Sequence, residues 1–170
     1  GLIQDGIISQ SEQQLKQLWS LRENISEAQA REGKNIKHDV ALPISKIAEF
    51  VESTEKQLKQ AFPEIQLICF GHLGDGNLHF NVSLKNSLKN PAAQEQLLAN
   101  QEAINLMTHN QVALLNGSIS AEHGLGVLRR DEAARYKSKV ELLLMAQIKK
   151  ALDPFNLMNP GKVLHPDLLN

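Results

Sequence analysis

Two histidines flank a short turn-forming run in the segment CFGHLGDGNLHFNVS, residues 69–83. His72 precedes the run and His79 follows it. Around His79, apolar residues alternate with His79, Asn81 and Ser83, so these three side chains share the face opposite the core. If the segment is a hairpin, the two imidazoles converge across the turn and provide half of a site for Zn²⁺ or a similar ion.

Other roles are compatible with the same two histidines. Both could be structural hairpin residues that are hydrogen-bonded or solvated. A phosphate-binding glycine loop is the weaker alternative for GHLGDG, because such loops lead into a helix and this one leads into a strand. On the two histidines alone, the structural role is the favoured interpretation.

A second segment, SISAEHGLG, adds a carboxylate and a further imidazole after an extended stretch. Glu122 would complete a His-His-Glu set that leaves coordination positions open, which is typical of catalytic rather than structural zinc sites. His123 would stand beside the cation as a free imidazole suited to proton transfer near neutral pH. The competing interpretation is that Glu122 only stabilises the following turn electrostatically, and taken alone this is favoured.

A positive charge interrupts an apolar helical stripe near the N-terminus. Arg22 lies four residues after Leu18 and three after Trp19, and Ser26 follows one turn later on the same face. Lys37 lies on the next predicted strand. Two cations and a hydroxyl near the predicted metal site would form a carboxylate pocket, since arginine can bind a carboxylate through two hydrogen bonds. Pairing of Arg22 with a structural glutamate is an equally good interpretation.

Periodicity and capping residues predict the elements that must position these side chains. Helices that alternate with short strands favour an α+β fold, with one antiparallel sheet and helices packed on it. The predicted elements are a helix from Ser11 to Gly33, a strand at 35–42, a helix from Pro43 to Pro63, a hairpin of strands 64–70 and 78–84 turning at Asp75-Gly76, a helix from Asn90 to about Gly117, an extended stretch at 118–121 and a helix from Ser138 to Pro154.

Bulk composition places the chain among soluble globular proteins. Apolar residues make up 42% and charged residues 22% of 170 residues, enough for a sizeable core. The formal net charge of -1 gives no indication of a nucleic acid or an anionic membrane as partner. Cys69 is the single cysteine, which fits a reducing compartment, and no apolar run has the length of a membrane span. The abrupt apolar start at Gly1 indicates a fragment of a longer protein.

Three motifs, GHLGDGNLHFNV, SISAEHGLGVLRRD and IKKALDPFNLMNPGKVL, resemble in this order the C-terminal part of FAD-linked 2-hydroxy-acid dehydrogenases. That family includes cytochrome-type D-lactate dehydrogenases, the flavin subunit of glycolate oxidase and D-2-hydroxyglutarate dehydrogenase. LWSLRENISEA and IKHDVALP resemble the last of these most. The resemblance implies a ferredoxin-like domain, with residues 1–170 forming the C-terminal part of the substrate-binding (cap) domain and the FAD-binding domain lying N-terminal to this chain.

The resemblance also implies roles for individual residues. The metal ligands, with zinc the expected divalent ion, would be His72, His79 and Glu122. The substrate-binding residues would be Arg22, Ser26, Lys37 and Asn81, where Ser26 stands in place of a threonine and keeps the hydroxyl. His123 would lie next to the reacting carbon, and Asn159 in the NPGKV tail would contact FAD.

The implied reaction is oxidation of a D-2-hydroxy acid, such as D-2-hydroxyglutarate or a D-lactate-like substrate, to the 2-oxo acid. The cation would bind the hydroxyl and one carboxylate oxygen, His123 would accept the proton, and hydride would pass to FAD. The implied partners are the missing FAD-binding domain and a second copy in a homodimer. The implied location is cytoplasmic, with peripheral contact to the inner membrane through an electron acceptor.

Two other functions fit the residues without the resemblance. A metal-dependent hydrolase could use the His-His-Glu set to activate water and would need no flavin. A non-catalytic binding module could carry the same residues with a structural ion or with none.

Overall fold

A computed structural model describes residues 3–84 and 90–169 of the chain. The predicted α+β class is confirmed, because a three-stranded antiparallel sheet carries helices on one face. The strands lie in the order β1-β3-β2. They are β1 (Ile36–Ala41), β2 (Ile65–His72) and β3 (Asn77–Leu84). The helices are α1 (Glu12–Glu23), α2 (Ile25–Glu32), α3 (Ile47–Ala61), α4 (Pro91–Ala99), α5 (Gln101–Leu114), α6 (Arg130–Tyr136) and α7 (Lys139–Leu152).

The order of elements follows the ferredoxin-like βαββαβ pattern. The chain runs from β1 through α3 to the β2–β3 hairpin and returns through α4 and α5. An isolated antiparallel bridge between Ala41 and Ser118 then lies on the free edge of β1, where the pattern places its fourth strand. The predicted extended stretch at 118–121 therefore pairs with the sheet through a single bridge. This bridge brings the loop that follows it close to the edge of the sheet.

The core lies between one face of the sheet and the helices α3 and α5. This is the face that the alternating apolar residues of β1 and β3 predict. Phe50 and Phe80 are fully buried with ring centroids 5.0 Å apart, which joins α3 to the central strand. The other fully or almost fully buried apolar residues of the core include Ile36, Val40, Leu58, Val82, Ile104 and Val112.

The predicted hairpin is confirmed, and it turns at Asp75 and Gly76. Both backbone N–H groups donate to the carbonyl of His72, at 3.3 Å and 3.1 Å. Gly76 has φ +79° and accepts the N–H of Leu42 at 3.0 Å. A Cβ at this position would lie 2.1 Å from the Leu42 carbonyl oxygen, so only glycine lets the turn approach the end of β1.

Two of the predicted helices are each divided into two. Asn24 separates α1 from α2, and Asn100 separates α4 from α5. The Asn100 side chain donates to the Gln96 carbonyl at 3.0 Å, so it competes with the regular helical hydrogen bonds. Periodicity continues across both breaks, which is why the sequence predicted single helices.

The predicted apolar stripe on α1 remains on the surface, since α1 has no buried residue. Leu15, Leu18 and Trp19 are all exposed. The helix predicted to begin at Pro43 also starts differently, because a 3₁₀ turn at Ile44–Lys46 precedes α3. In the two described ranges, no helix has the length and hydropathy needed to cross a membrane.

His38 is a buried polar residue on the core face of β1. Its Nδ1 lies 2.8 Å from the Phe80 carbonyl oxygen, and its Nε2 lies 2.9 Å from the side-chain amide of Asn105. Burial lowers the pKa of His38 to about 4, with a smaller contribution from His109, and it outweighs the hydrogen bonds that favour protonation. His38 is therefore a neutral part of the core.

We expect the free energy of unfolding to fall as the pH drops from about 6.5 to about 4. In this window the unfolded chain protonates His38 and the folded chain does not, so acid favours unfolding by up to about 3 kcal/mol. Urea denaturation across this range measures the slope. A His38→Gln variant should show a shallower slope, whereas His165→Gln, at an exposed histidine, should keep the original one. An unchanged slope in His38→Gln would contradict the assignment.

Candidate functional site

The face of the sheet opposite the core borders a cavity of about 320 Å³. Strand register explains why polar residues meet there, because Asp39 lies opposite His79 and Lys37 lies opposite Asn81. Phe70 of β2 lies opposite His79 on the other side, with ring centroids 4.9 Å apart. The predicted site residues that line this cavity are Ser26, Lys37, His79, Asn81, Glu122 and His123.

Four side chains offer ligand atoms that all lie within 4.8 Å of one another: Asp39, His79, Glu122 and His123. His79 Nε2 is 3.3 Å from Glu122 Oε1, and the same carboxylate oxygen is 3.7 Å from His123 Nε2. The two imidazole rings stack with centroids 5.6 Å apart. The structure thus brings together His79 and Glu122, two members of the predicted His-His-Glu set, with His123 beside them.

Asp39 holds the loop that carries Glu122 and His123. Its buried Oδ2 accepts the backbone N–H groups of Ala121, Glu122 and His123 at 3.2, 3.0 and 2.8 Å. Burial alone would raise the pKa of Asp39, but these hydrogen bonds and the nearby His123 hold the pKa below its ordinary value. The result is a buried carboxylate anion that fixes three successive backbone groups.

Arg129, which follows the loop of Glu122 and His123 in the sequence, also connects this part of the chain to β1. Its Nη1 donates to the Ile119 carbonyl and its Nη2 to the Lys37 carbonyl, both at 2.9 Å. One guanidinium therefore joins β1 to the stretch that precedes the loop. Its charge also acts on Asp39, and this attraction opposes the lowering of the Arg129 pKa by burial.

Lys37 brings a positive charge to the cavity, and Gln29 lines the same cavity. Lys37 forms no ion pair with any residue that the structure describes. Gln29 of α2 is buried, and its Oε1 accepts Asn81 Nδ2 at 2.9 Å. Its Nε2 is also buried and has no hydrogen-bond partner within the described ranges.

His72 and Arg22 lie beside the cavity but are not part of its described lining. Arg22 Nη2 is 3.3 Å from His72 Nε2, and its guanidinium carbon is 5.7 Å from the centre of the Phe70 ring. Within the described ranges no carboxylate lies within 4 Å of Arg22, so it does not form the ion pair of the competing interpretation. His72 and His79 share a face of the hairpin, but His72 is outside the four-residue group, and its role as a ligand stays a prediction.

Asn159 lies at a different place from the other predicted site residues. It lines a separate cavity of about 520 Å³, formed by the end of α7 and the C-terminal tail. Its φ of 48° is left-handed, a conformation that asparagine adopts more readily than most residues. Its predicted contact with FAD stays a prediction.

Sequence reasoning did not identify Asp39, Gln29 and Arg129 as site residues. Asp39 is the one that carried a detectable signal, because it is an acidic residue between two residues of a buried strand. Its relation to His79 depends on strand register, and the roles of Gln29 and Arg129 depend on contacts that are distant along the chain.

Comparison with known proteins agrees with this geometry. The family model "FAD linked oxidases, C-terminal domain" matches residues 1–163. The chain belongs to this family. The predicted resemblance is thereby confirmed, and the fold described above is the C-terminal domain of a FAD-linked oxidase.

Relatives with curated names agree with the narrower resemblance. The chain is 42% identical over 163 residues to a D-2-hydroxyglutarate dehydrogenase of Xanthomonas citri pv. viticola, a match that covers 96% of this chain and 34% of the relative. It is 36% identical over 163 residues to the same-named protein of Stutzerimonas stutzeri, with 96% and 34% covered. It is 38% identical over 170 residues to the mitochondrial D-2-hydroxyglutarate dehydrogenase of Arabidopsis thaliana, with 100% and 28% covered. The chain thus spans about a third of the length of these relatives.

We expect Arg129→Lys to lower the free energy of unfolding by about 1–3 kcal/mol, because lysine cannot bridge both carbonyls. Amide exchange should also become faster at residues 121–123, because the stretch that precedes them is then less firmly joined to β1. Arg31→Lys is the matched control, since Arg31 pairs with Glu27 on the exposed surface of α2. Denaturant titration and hydrogen exchange measure the two effects, and equal behaviour of the two variants would disprove the bridging role.

Proposed function

We propose that this chain forms the substrate-binding part of an FAD-dependent dehydrogenase that oxidises a D-2-hydroxy acid to the 2-oxo acid. The observation that carries the proposal is that one cavity is lined by a candidate cation-binding group and by Lys37, which has no ion-pair partner within the described ranges. Family membership and the names of the relatives support the same reaction class. FAD would be held mainly by protein outside this chain.

The donor set fits a divalent metal ion. Imidazole nitrogen and carboxylate oxygen together suit zinc, and His79 and Glu122 already lie at a distance that one ion could bridge. We propose His72 as the third ligand, since it shares the sheet face of His79 on the neighbouring strand. Three protein ligands would leave positions open for the substrate.

The contact between Arg22 and His72 couples metal binding to substrate binding in this proposal. Arginine can only donate, so His72 Nε2 accepts its N–H through a lone pair. A metal ion at Nε2 needs that same lone pair, so His72 cannot serve both at once. If His72 held the ion, Arg22 would be released at the edge of the cavity and could bind a substrate carboxylate.

Two separate cations favour a substrate with two carboxylates. Arg22 lies at the edge of the cavity and Lys37 lines it, so each can neutralise one carboxylate of a D-2-hydroxyglutarate-like substrate. Ser26 and the Asn81–Gln29 pair add neutral polar groups to the lining of the cavity. A D-lactate-like substrate would leave one cation without a partner and is the weaker candidate.

His123 is the proposed base for the substrate hydroxyl. Its side chain is well exposed, whereas His79 is largely buried, so His123 is the imidazole that a substrate can reach. Its Nδ1 lies 3.6 Å from Asp39 Oδ2, which stabilises the ring after it takes up a proton. When bound, the metal ion would lower the pKa of the hydroxyl and the flavin would accept the hydride.

Replacement of His79 by alanine tests the proposed reaction. In the complete natural protein that contains this chain, we expect His79→Ala to lose zinc and to lower turnover of D-2-hydroxyglutarate by roughly 100-fold or more. Elemental analysis and stopped-flow reduction of FAD measure the two effects. His165→Ala, at an exposed histidine of the tail, is the control and should retain both.

Normal metal content and turnover in His79→Ala would refute the role of His79. Zinc-dependent hydrolysis of a model ester by this chain without FAD would instead favour the hydrolase. Zinc that is retained and required for folding, with no turnover of any 2-hydroxy acid, would favour the binding module.

We further propose that an apolar surface on α7 and the tail packs against the remainder of the longer protein. Ala146 is the one buried residue of α7, while Leu144, Ile148 and Leu152 of the same helix are exposed. Phe155 and Leu157, which follow α7 in the tail, are exposed as well. A surface of this kind is typical of an interface between domains or subunits.

The isolated 170-residue chain should therefore self-associate at high concentration, since its apolar surface remains in water. Multi-angle light scattering measures this, and a strict monomer at all concentrations would contradict it. Leu144→Lys should reduce the association because it places a charge on the surface. Gln147→Lys adds the same charge at an exposed polar position of α7 and is the matched control.

A further inference from the structure

We infer that Asp39 is the positioning residue of this site: one of its carboxylate oxygens fixes the loop of Glu122 and His123, and the other orients the ring of His79. The inference rests on the proposed function, because it concerns the same cation-binding group. In this role Asp39, a residue of β1, sets the positions of the side chains at 79, 122 and 123.

The two oxygens of Asp39 have different surroundings. Oδ2 accepts three backbone N–H groups from residues 121–123 and is saturated. Oδ1 is buried and has no hydrogen-bond partner within the described ranges. A buried anionic oxygen without a donor is costly, so this atom requires one. The Nδ1 of His79, at 3.8 Å, is an imidazole nitrogen close enough to supply it after a small rotation of the ring.

The consequence for His79 is a fixed tautomer. With its proton on Nδ1 and directed at Asp39, the neutral ring keeps a lone pair on Nε2. That nitrogen is the one that lies 3.3 Å from Glu122 Oε1, on the side where an ion would be bound. A carboxylate behind a ligating histidine raises the basicity of the ligand and holds the ring in orientation.

Glu122 competes for the proton of His79, and burial decides between the two carboxylates. The side chain of Glu122 is 46% exposed and that of Asp39 is 5% exposed. Water can satisfy the Glu122 oxygens, whereas the free oxygen of Asp39 depends on the protein. The proton therefore belongs on the side of Asp39.

Asp39→Asn separates the two tasks of the carboxylate. Its one remaining oxygen can still accept the three backbone N–H groups, so amide protection at 121–123 should be kept. Its NH₂ group then faces His79 Nδ1 as a donor, which moves the ring proton to Nε2. We expect the zinc dissociation constant to rise roughly 10- to 100-fold, as for other partners of ligating histidines.

Two measurements on the 170-residue chain test the inference. Long-range ¹H–¹⁵N spectra of the metal-free chain, labelled in its histidines, read the tautomer of His79 at a pH where the ring is neutral. Competition with a chelator gives the zinc affinity. Asp153→Asn is the matched control, because Asp153 is also buried and accepts backbone N–H groups from Leu157 and Met158. It should leave both readouts unchanged even if stability falls.

Each outcome decides the matter. A proton on Nε2 of His79 in the wild-type chain overturns the inference. Because this measurement needs no variant, the inference can be refuted even if the Asp39→Asn chain does not fold. Unchanged zinc affinity in a folded Asp39→Asn chain also overturns it. If the wild type carries the proton on Nδ1 and Asp39→Asn moves it, but neither chain binds zinc, the positioning role stands and the proposed metal site fails.

Discussion

The buried carboxylate of Asp39 is the group on which the arrangement of the site depends. His79 comes from the central strand, while Glu122 and His123 come from a loop that follows a single bridge to the edge of β1. Within the described ranges, both of those loop side chains are exposed, so packing does little to place them. Three N–H groups that converge on one oxygen supply the missing constraint. The same bonds offset the free-energy cost of burying the charge. Three hydrogen bonds therefore both position the loop and stabilise the buried anion.

Adjacent residues of β1 show how one strand can serve two environments. His38 faces the core, where burial keeps it neutral, and Asp39 faces the cavity, where N–H donors keep it charged. Alternation along a strand allows this because neighbouring side chains point to opposite faces. The packed apolar core on one face of β1 therefore gives rigid support to Asp39 on the other face. Arg129 strengthens that support by joining β1 to the stretch before the loop.

Local patterns were sufficient to predict much of this fold from the sequence. Alternation gave the strands and their faces, Asp75-Gly76 gave the turn, and Ser138 with Glu141 gave a capping box that the structure contains. Register was out of reach, because it depends on pairing between segments some 40 residues apart, and Asp39 meets His79 through register. The breaks at Asn24 and Asn100 were missed because apolar periodicity continues through both.

The site was predictable to the extent that ligand-type residues stood at strand ends. Ser26, Lys37, His79, Asn81, Glu122 and His123 do line one cavity, while Asn159 lies at another. The residues that sequence reasoning did not assign to the site act through other groups rather than on a ligand. Gln29 reaches the cavity from α2 through its bond with Asn81, and Arg129 donates to the backbone carbonyls of Ile119 and Lys37. Side chains of this kind leave no local pattern, since their partners lie far away along the chain.

The two N-terminal helices differ in how firmly the fold holds them, and this bears on how the site would assemble. Gln29 anchors α2 to the sheet through Asn81, and it is buried. No residue of α1 is buried, and Arg22 connects it to the sheet through His72 and the ring of Phe70. Segments with few buried contacts open at the lowest free energy. In the proposed function, binding of a metal ion by His72 would cost α1 this hydrogen bond and would free the guanidinium of Arg22. A substrate carboxylate bound by that guanidinium would then set the position of α1 and would complete a cavity that the rest of the fold already forms.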